Sequence, residues 1–286
     1  MGLLARANKK GVRAGAVVVA SAAAVAATAW GVASLVGPGG TASQYNVARP
    51  GATDHSGHGD DGRPGQQPQG IPEGIAHASE SGGNAVNITI DDGPDPRWTP
   101  RVLDVLRRHD VKATFCMVGP QAKAHPDLVK KVVAAGHRLC DHTMNHDTAM
   151  DKKPVAYQQA QILEAKKLIE EAAGGGAKVE YYRAPGGAFT PDSRRIAAAH
   201  GMRPLGWNVD TKDFDKPGTA AIVNAVKREI GNGPTVLFHD GGGNRAQTVD
   251  ALDQVLTWLK EQGRPTGFPV RTTPDAPDAG TAAEAR

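Results

Sequence analysis

The sequence predicts an α/β fold built as an irregular (β/α) barrel. Short apolar or β-branched runs alternate with amphipathic helical patterns between residues 84 and 268, and this alternation is typical of βαβ units with parallel strands. Polar side chains follow five of the six predicted strands, and parallel strands deliver such side chains to one rim. An open doubly wound sheet would also fit the alternation, but its site gathers at a single switch point. The spread over five strands favours the barrel.

The first segment of the chain predicts export. Basic residues between positions 6 and 13 precede an uncharged run at 14–36 that is rich in Ala and Val. This run is long enough to span a bilayer, and the charge asymmetry keeps its start in the cytoplasm. The small residues at 27–29 also resemble a signal cleavage site. We expect residues 1–37 to be a signal peptide or a membrane anchor, with the length favouring an anchor, and the remainder to be extracytoplasmic.

The composition divides the rest of the chain into three parts. Residues 38–83 contain Gly, Pro, Gln, Ser, Asp and His with almost no large apolar side chains, so they cannot bury enough surface to fold, and we predict a disordered linker. Residues 84–268 are long enough to form one domain with a sizeable core. The tail at 269–286 resembles the linker in composition and is predicted to be disordered.

Strands and helices follow one another inside the central domain. The strands are predicted at 85–90, 113–118, 138–140, 179–182, 204–209 and 235–238. The clearest amphipathic helical patterns cover 102–106, 128–133, 162–169 and 252–259.

Charge and cysteine content exclude several classes of protein. The net charge is only +3, without a dense basic run, so the protein is not a dedicated nucleic-acid binder. Two cysteines cannot build a disulfide scaffold or a cysteine zinc module. In an exported protein Cys116 and Cys140 are able to form a disulfide, but two buried thiols fit equally well. No Gly-x-Gly-x-x-Gly opens a helix, which argues against a dinucleotide enzyme. No oligomeric state is predicted.

Two histidines follow the third predicted strand. His142 and His146 are four residues apart, which on a helical turn would place both imidazoles on one face. They should reach the same rim as Asp91 and Asp92, which follow the first strand. Two histidines and one carboxylate are typical ligands of a catalytic zinc-type site with open positions. The sequence therefore predicts a metal site at this rim.

The paired aspartates also suit a simple turn, because Asp-Asp-Gly-Pro has favourable turn chemistry. Adjacent carboxylates repel each other, however, unless a cation lies beside them. Successive side chains of an extended chain point in opposite directions, so Asp91 and Asp92 should have different roles. One is expected to bind the metal while the other acts on the reacting water.

Five short motifs now carry a resemblance to a known family. In chain order they are TIDDG from residue 89, HTMNH from 142, RAPGG from 183, DTKDF from 210 and LFH from 237. Together they resemble the motifs of the polysaccharide deacetylases, the NodB-homology family that forms carbohydrate esterase family 4. The resemblance extends over residues 84–268 and implies a barrel of the deacetylase type.

The resemblance implies roles for the residues around the metal. Asp91 would be the general base, and Asp92 would bind the metal together with His142 and His146. Arg183 would hold the base as a carboxylate. The implied cofactor is a divalent cation, Zn²⁺ in the first place and Co²⁺ as an alternative.

The last two motifs imply the opposite wall of the site. His239 would be the general acid, and Asp213 would orient and charge it. Leu237 would line the pocket for the acetyl group.

Three positions depart from the family pattern. Ile90 replaces the usual Phe before the paired aspartates, and Phe214 replaces the usual Trp, which keeps an apolar wall without an N–H donor. Gly186 replaces the usual aromatic residue after Pro185; its backbone N–H would still face the oxyanion. We expect Pro185, Gly186 and Phe214 to contact substrate, and their environment to set substrate preference.

The implied function is metal-dependent removal of acetyl groups from an N-acetylglucosamine-containing polysaccharide by activated water. A membrane tether with a spacer favours a cell-wall substrate, peptidoglycan, while a chitin-like glycan fits the same chemistry. The alternatives are an acetylxylan O-acetyl esterase with the same site and, in another class, a non-catalytic glycan-binding module.

Overall fold

Strands and helices alternate along residues 70–273, the part of the chain that the computed structural model describes. The strands are β1 (Val86–Asp91), β2 (Thr114–Met117), β3 (Arg138–Asp141), β4 (Val179–Tyr182), β5 (Arg203–Pro204), β6 (Val209–Asp210), β7 (Thr235–His239) and β8 (Thr266–Gly267). The α-helices are α1 (Thr99–Arg108), α2 (Gly119–Ala124), α3 (Pro126–Ala134), α4 (Val155–Ala173), α5 (Pro191–Ala199), α6 (Thr219–Glu229) and α7 (Ala246–Glu261). Single 3₁₀ turns lie at Met150–Lys152, Pro185–Gly187 and Asp213–Asp215.

The strands form one curled parallel sheet in the order β5-β4-β3-β2-β1-β7-β6, and β8 pairs with the start of β1. Parallel pairing places the carboxyl ends of β1 and β7 side by side, with Asp91 opposite His239. The predicted α/β fold of the irregular barrel type is therefore confirmed.

The predicted strand at 204–209 is wrong. It is two strands of two residues each, β5 and β6, which lie at opposite edges of the sheet. Residues 205–208 cross the gap between these edges. The run looks like one strand because it is apolar, but Leu205 is buried in the interior while Trp207 is half-buried and lines the functional cleft.

The two faces of the sheet have different characters, as the period of two along a strand requires. Alternate residues of β1, Ile88 and Ile90, lie in the main apolar core. The other residues of β1 include Asn87, Thr89 and Asp91, which are buried polar side chains. The polar face of the sheet is what leads into the functional site.

A small second cluster fills part of this interior with Ala76, Tyr181, Leu205, Val270 and the two cysteines. The cysteines lie directly opposite each other on β2 and β3. They form a disulfide, which decides between the two alternatives that the sequence left open.

The packed fold starts before residue 84 and continues past residue 268. Ala76 is fully buried and donates its N–H to the Pro204 carbonyl at 2.8 Å. Ser79 forms a β-bridge with Pro269. These segments are held mainly by backbone hydrogen bonds, and composition does not reveal such bonds.

The remaining sequence predictions for the two ends fall on residues 1–69 and 274–286, which lie outside the described residues. The predicted signal or anchor at 1–37, most of the linker and most of the tail belong there. Within residues 70–273, no helix is both long enough and apolar enough to cross a membrane.

Candidate active site

A cleft of about 460 Å³ opens where the strands end. Its walls include the carboxyl ends of β1 and β7 and the loops after β3 and β6. Among the lining residues are Asp91, Asp92, His142, His146, Leu237 and His239. The structure therefore brings together the side chains that the sequence placed at one rim.

Three of these side chains could hold a metal ion. One ligand atom each from Asp92, His142 and His146 lies within 4.8 Å of the others. His146 Nε2 is 3.1 Å from Asp92 Oδ1, and His142 Nε2 is 3.6 Å from the same oxygen. Asp92 Oδ1 is buried and has no well-aligned hydrogen-bond donor. Ligand atoms that converge without donating to each other suit a cation between them.

The orientation of His142 fits the same interpretation. Its Nδ1 lies 2.8 Å from the Arg183 carbonyl oxygen, so this nitrogen carries the proton and donates it. Nε2 is then left with its lone pair facing Asp92. Burial lowers the pKa of His142, which keeps the imidazole neutral as a metal ligand requires.

The pKa shifts of Asp92 and His146, the other two candidate ligands, favour their charged forms. Burial opposes ionisation of Asp92, but the neighbouring imidazoles outweigh it and hold the pKa of this carboxyl well below its usual value. The Asp92 carboxylate in turn raises the pKa of His146. The site therefore attracts positive charge at the position between these side chains.

The two histidines do not lie on a helical turn, and that prediction is wrong. Thr143 and His146 have left-handed backbones, with φ of 70° and 51°. The loop is held by side chains instead: Asp141 Oδ1 accepts from the Thr143 N–H at 2.7 Å, and Thr143 Oγ1 accepts from the His146 N–H at 3.2 Å. Such local bonds compete with helix formation.

The paired aspartates converge rather than point apart. Asp92 leaves the strand with a φ of 76°, so the alternation of an extended chain ends there. Asp91 Oδ2 and Asp92 Oδ1 each lie 3.6 Å from His142 Nε2. A left-handed backbone at a non-glycine residue is costly and persists where the surroundings hold it.

Arg183 holds the other oxygen of Asp91. The guanidinium is fully buried, and its Nη1 donates to Asp91 Oδ1 at 2.7 Å and to Thr89 Oγ1 at 2.9 Å. Nε and Nη2 donate to the carbonyls of Leu205 and Gly206. Burial lowers the pKa of Arg183 while Asp91 opposes the change, and the group stays charged. Asp91 is thus fixed in position, with Oδ2 turned to the cleft.

His239 and Asp213 form the opposite wall. His239 Nδ1 lies 2.6 Å from Asp213 Oδ1, and Asp213 Oδ2 accepts from the His239 N–H and from Thr248 Oγ1, both at 2.9 Å. Burial disfavours the imidazolium, but Asp213 outweighs it and raises the pKa of His239 to about 9. The imidazole is therefore protonated at neutral pH.

Of the four residues that the sequence predicts to contact substrate, three line the cleft and one does not. Leu237, Gly186 and Phe214 line the cleft, and the Phe214 ring stands edge-on to His239 with its side chain 40% exposed. Pro185 is buried and is not among the residues that line the cleft.

Sequence reasoning missed several residues of the cleft wall, among them Trp207 and Lys212. Trp207 lines the cleft, and its ring stacks on the Arg183 guanidinium, whose Cζ is 5.6 Å from the ring centroid. Lys212 also lines it and forms an ion pair with Asp210 at 2.6 Å. The signal for Trp207 was its place just before the fourth motif, which the prediction of a continuous strand concealed.

Comparison with known proteins identifies the family. The family model for polysaccharide deacetylase matches residues 78–205. A chitooligosaccharide deacetylase from Sinorhizobium fredii is 38% identical over 208 residues, which are 68% of this chain and 93% of the relative. A peptidoglycan-N-acetylglucosamine deacetylase from Bacillus cereus is 39% identical over 180 residues, or 62% of this chain and 83% of the relative.

Solved structures agree with these relatives. A family 4 carbohydrate esterase from Streptomyces lividans in complex with acetate has a TM-score of 0.60 and 30% identity, covering 68% of this chain and 98% of the esterase. A family pseudoenzyme from Bacillus anthracis has a TM-score of 0.63 and 29% identity, with coverage of 69% and 68%. With the motifs, the fold and the site in agreement, the chain belongs to the polysaccharide deacetylases of carbohydrate esterase family 4, hydrolases that act on amide bonds.

Proposed function

We propose that the protein is a metal-dependent N-deacetylase that acts on N-acetylglucosamine residues of a polysaccharide outside the cytoplasm, either peptidoglycan or a chitin-like glycan. One observation carries this proposal. A metal-ligand triad lies between a carboxylate fixed by arginine and an imidazolium fixed by aspartate, in a single cleft.

The ligand set favours Zn²⁺, with Co²⁺ as an alternative. Two imidazoles and one carboxylate are the ligands that catalytic zinc prefers, and three protein ligands leave room for water and substrate. When bound, such a cation lowers the pKa of water and polarises the acetyl carbonyl.

Asp91 takes the proton from the attacking water. Arg183 occupies Oδ1, and Oδ2 faces the triad, 3.6 Å from His142 Nε2. The base is therefore oriented by its partner rather than by the substrate, and it accepts the proton without moving.

His239 gives a proton to the leaving nitrogen. Because Nδ1 is engaged by Asp213, the proton on Nε2 is the one available to the substrate. An amide anion is a very poor leaving group, so protonation of the nitrogen must accompany breakage of the carbon–nitrogen bond. Acetate and a free amine are the products.

The remaining wall residues bind the acetyl group. Leu237 offers an apolar surface to the methyl, and Phe214 closes the side next to His239. In the loop after β4, the N–H groups of Gly187 and Ala188 donate to carbonyls of the same loop, whereas Gly186 lies at the cleft. We assign the Gly186 N–H to the oxyanion that forms as water attacks.

Both curated relatives described above are named for substrates built on N-acetylglucosamine, and this supports the N-acetyl preference. The predicted export segment, retained as a membrane anchor or cleaved, supports a wall polymer, with residues 38–69 as the spacer. An acetylxylan esterase would use the same acetyl pocket. A glycan-binding module without activity is the remaining alternative, since one structural neighbour is a pseudoenzyme.

Acetate release from three substrates tests the proposal. The full chain with added Zn²⁺ is incubated with peptidoglycan, chitooligosaccharides and acetylxylan, and Asp91→Asn serves as the inactive control. We expect release from the first or second substrate and little from acetylxylan. Preference for acetylxylan would support the esterase, and glycan binding without acetate release from any substrate would support the binding module.

A further inference from the structure

The first turn of α7 lies against the loop between β6 and α6, which carries Asp213. Thr248 is buried, and its Oγ1 donates to Asp213 Oδ2 at 2.9 Å. Arg245, which directly precedes the helix, is also buried, and its Nη1 donates to the Asp213 carbonyl at 3.2 Å. Gln247 Oε1 accepts from the Gly218 N–H at 2.7 Å, farther along the same loop. The start of α7 therefore contacts this loop at three points.

The loop needs this support because its backbone is strained. Lys212 and Lys216 flank the 3₁₀ turn that contains Asp213, and both have left-handed backbones, with φ of 53° and 56°. Such a conformation costs free energy at a non-glycine residue and persists where the surroundings hold it. Both lysines are exposed, whereas Asp213 is buried. The contacts that hold the turn against the fold therefore fall on Asp213.

Arg245 also contacts the glycine loop that follows β7. Its Nε donates to the Gly241 carbonyl at 2.6 Å. This loop packs directly on a candidate metal ligand, because a Cβ at Gly241 would collide with the Asp92 carbonyl and a Cβ at Gly242 would lie 3.2 Å from Asp92 Oδ2. The guanidinium therefore joins the backbone behind Asp92 to the backbone of Asp213.

We propose that Arg245 and Thr248 are positioning residues for proton transfer, which hold the Asp213–His239 pair at a fixed distance from the metal-ligand triad. The inference rests on the proposed function, because it takes His239 as the donor to the leaving nitrogen. Thr248 and the His239 N–H occupy Asp213 Oδ2, which leaves Oδ1 for His239 Nδ1. Rotation of this carboxylate, or displacement of its backbone, would move the imidazole away from the substrate.

A conservative variant at each position and a matched control test the inference. Arg245→Lys keeps the charge, but an ammonium does not reproduce the planar fork that bonds both carbonyls. Thr248→Val keeps the shape, removes the hydroxyl and is the milder change should Arg245→Lys fail to fold. The control is Arg203→Lys, because Arg203 is also buried and donates to the carbonyls of Gly74 and Thr273 but does not line the cleft.

Values of kcat are measured for an N-acetylated chitooligosaccharide and for an activated acetyl ester. We expect Arg245→Lys to lower kcat by about 10- to 100-fold for the amide, because the proton donor is displaced, and by less than about 3-fold for the ester. Thr248→Val should lower kcat for the amide by about 3- to 10-fold, the effect of one lost hydrogen bond to a charged group. Arg203→Lys should leave the amide-to-ester ratio unchanged. Equal losses on both substrates in the two test variants would overturn the inference.

Proton NMR separates this inference from the proposed function, because it needs no turnover. In the full chain with isotopically labelled histidine, the Nδ1–H of His239 bonded to Asp213 should give a low-field resonance, which His239→Ala identifies by its loss. We expect this resonance to move upfield in Arg245→Lys and to stay in place in Arg203→Lys. That pattern without acetate release from any substrate would refute the deacetylase and keep the positioning role. An unchanged resonance in Arg245→Lys would refute the positioning role.

Discussion

The two ends of the barrel treat buried polar groups in opposite ways. At the amino end, neutral side chains bond to the backbone of the terminal segments: Asn87 Nδ2 donates to the Ala78 carbonyl at 3.2 Å, and Tyr181 Oη donates to the Pro269 carbonyl at 2.7 Å. At the carboxyl end, ionisable side chains converge, and Asp92 Oδ1 is buried without a hydrogen-bond partner. The amino end thus uses neutral polar side chains to hold the terminal segments, whereas the carboxyl end gathers ionisable side chains around one position.

This difference predicts that substitutions at the carboxyl end change activity, with or without a change in stability, and that those at the amino end change stability alone.

Removal of divalent cations should abolish activity. If Asp92, His142 and His146 share a cation as proposed, its removal costs Lewis-acid stabilisation worth several kcal/mol, and acetate release should fall by more than about 10³-fold. Exhaustive chelation followed by Zn²⁺ or Co²⁺ addition, with acetate as the readout, checks this. Activity that survives chelation would contradict the assignment of Asp92, His142 and His146 as ligands.

His239→Ala should impair amides more than activated esters. We expect a loss of about 10²–10⁴-fold on an N-acetylated glycan, since general-acid catalysis is removed, and a much smaller loss on an ester whose leaving group needs no proton. The comparison is made on the same enzyme preparation, with circular dichroism to verify folding. Equal losses on both substrates would remove His239 from the acid role.

Asp213→Asn should move the alkaline limit of activity. In the wild-type chain the pKa of His239 is raised to about 9, so the acid form persists below that pH and is lost above it. Without the Asp213 carboxylate the pKa falls, and we expect the alkaline limb of kcat to move down by at least ~1 pH unit.

The same pair links pH to stability. The pKa of His239 is higher in the folded chain than in the unfolded chain, so its ion pair with Asp213 stabilises the fold fully below the ordinary histidine pKa. This stabilisation disappears as the pH rises through about 9. The difference in melting temperature between the wild-type chain and Asp213→Asn should therefore shrink with rising pH. A difference that does not vary with pH would contradict the ion pair.

Tyr181→Phe should lower stability and leave activity unchanged. The hydroxyl is buried at the amino end, where it donates to Pro269 and accepts from Arg138 Nη1 at 2.7 Å. Its loss should reduce the free energy of unfolding by about 1–2 kcal/mol. Urea denaturation and acetate release measure the two effects, and a large change in kcat would show that the two ends are coupled.

The sequence predicts the fold from the alternation of strands and helices, and it predicts the location of the site from the polar residues at the strand ends. Alternating strands and helices predict a parallel sheet, and the residues after each strand then meet at one rim, as Asp91, His142 and His239 do. The predictions are wrong where contacts between residues distant in sequence determine the local backbone. The loop of His142 and His146 is shaped by Asp141, and the run at 204–209 is divided between two sheet edges.

The packed domain extends beyond the predicted limits, residues 84 and 268, for a related reason. Segment 75–79 has little apolar bulk, and it is held by main-chain bonds to Pro204 and Gly206 and by a Thr235 side chain that donates to the His77 carbonyl. Such partners are distant in sequence, and composition averages do not register them. Trp207 was missed because residues 204–209 were predicted to form one strand, whereas residues 205–208 cross between two sheet edges.

Arg183 makes the architecture and the chemistry inseparable at one point. Its Nε and Nη2 fasten the carbonyls of the crossover between β5 and β6, while Nη1 fastens Asp91. Any redesign of the crossover, for instance to admit a bulkier glycan, would therefore also shift Asp91, the proposed proton acceptor. A substitution in the crossover that alters specificity is therefore expected to change turnover as well. To avoid this, it must keep the hydrogen bonds from Arg183 to the carbonyls of Leu205 and Gly206.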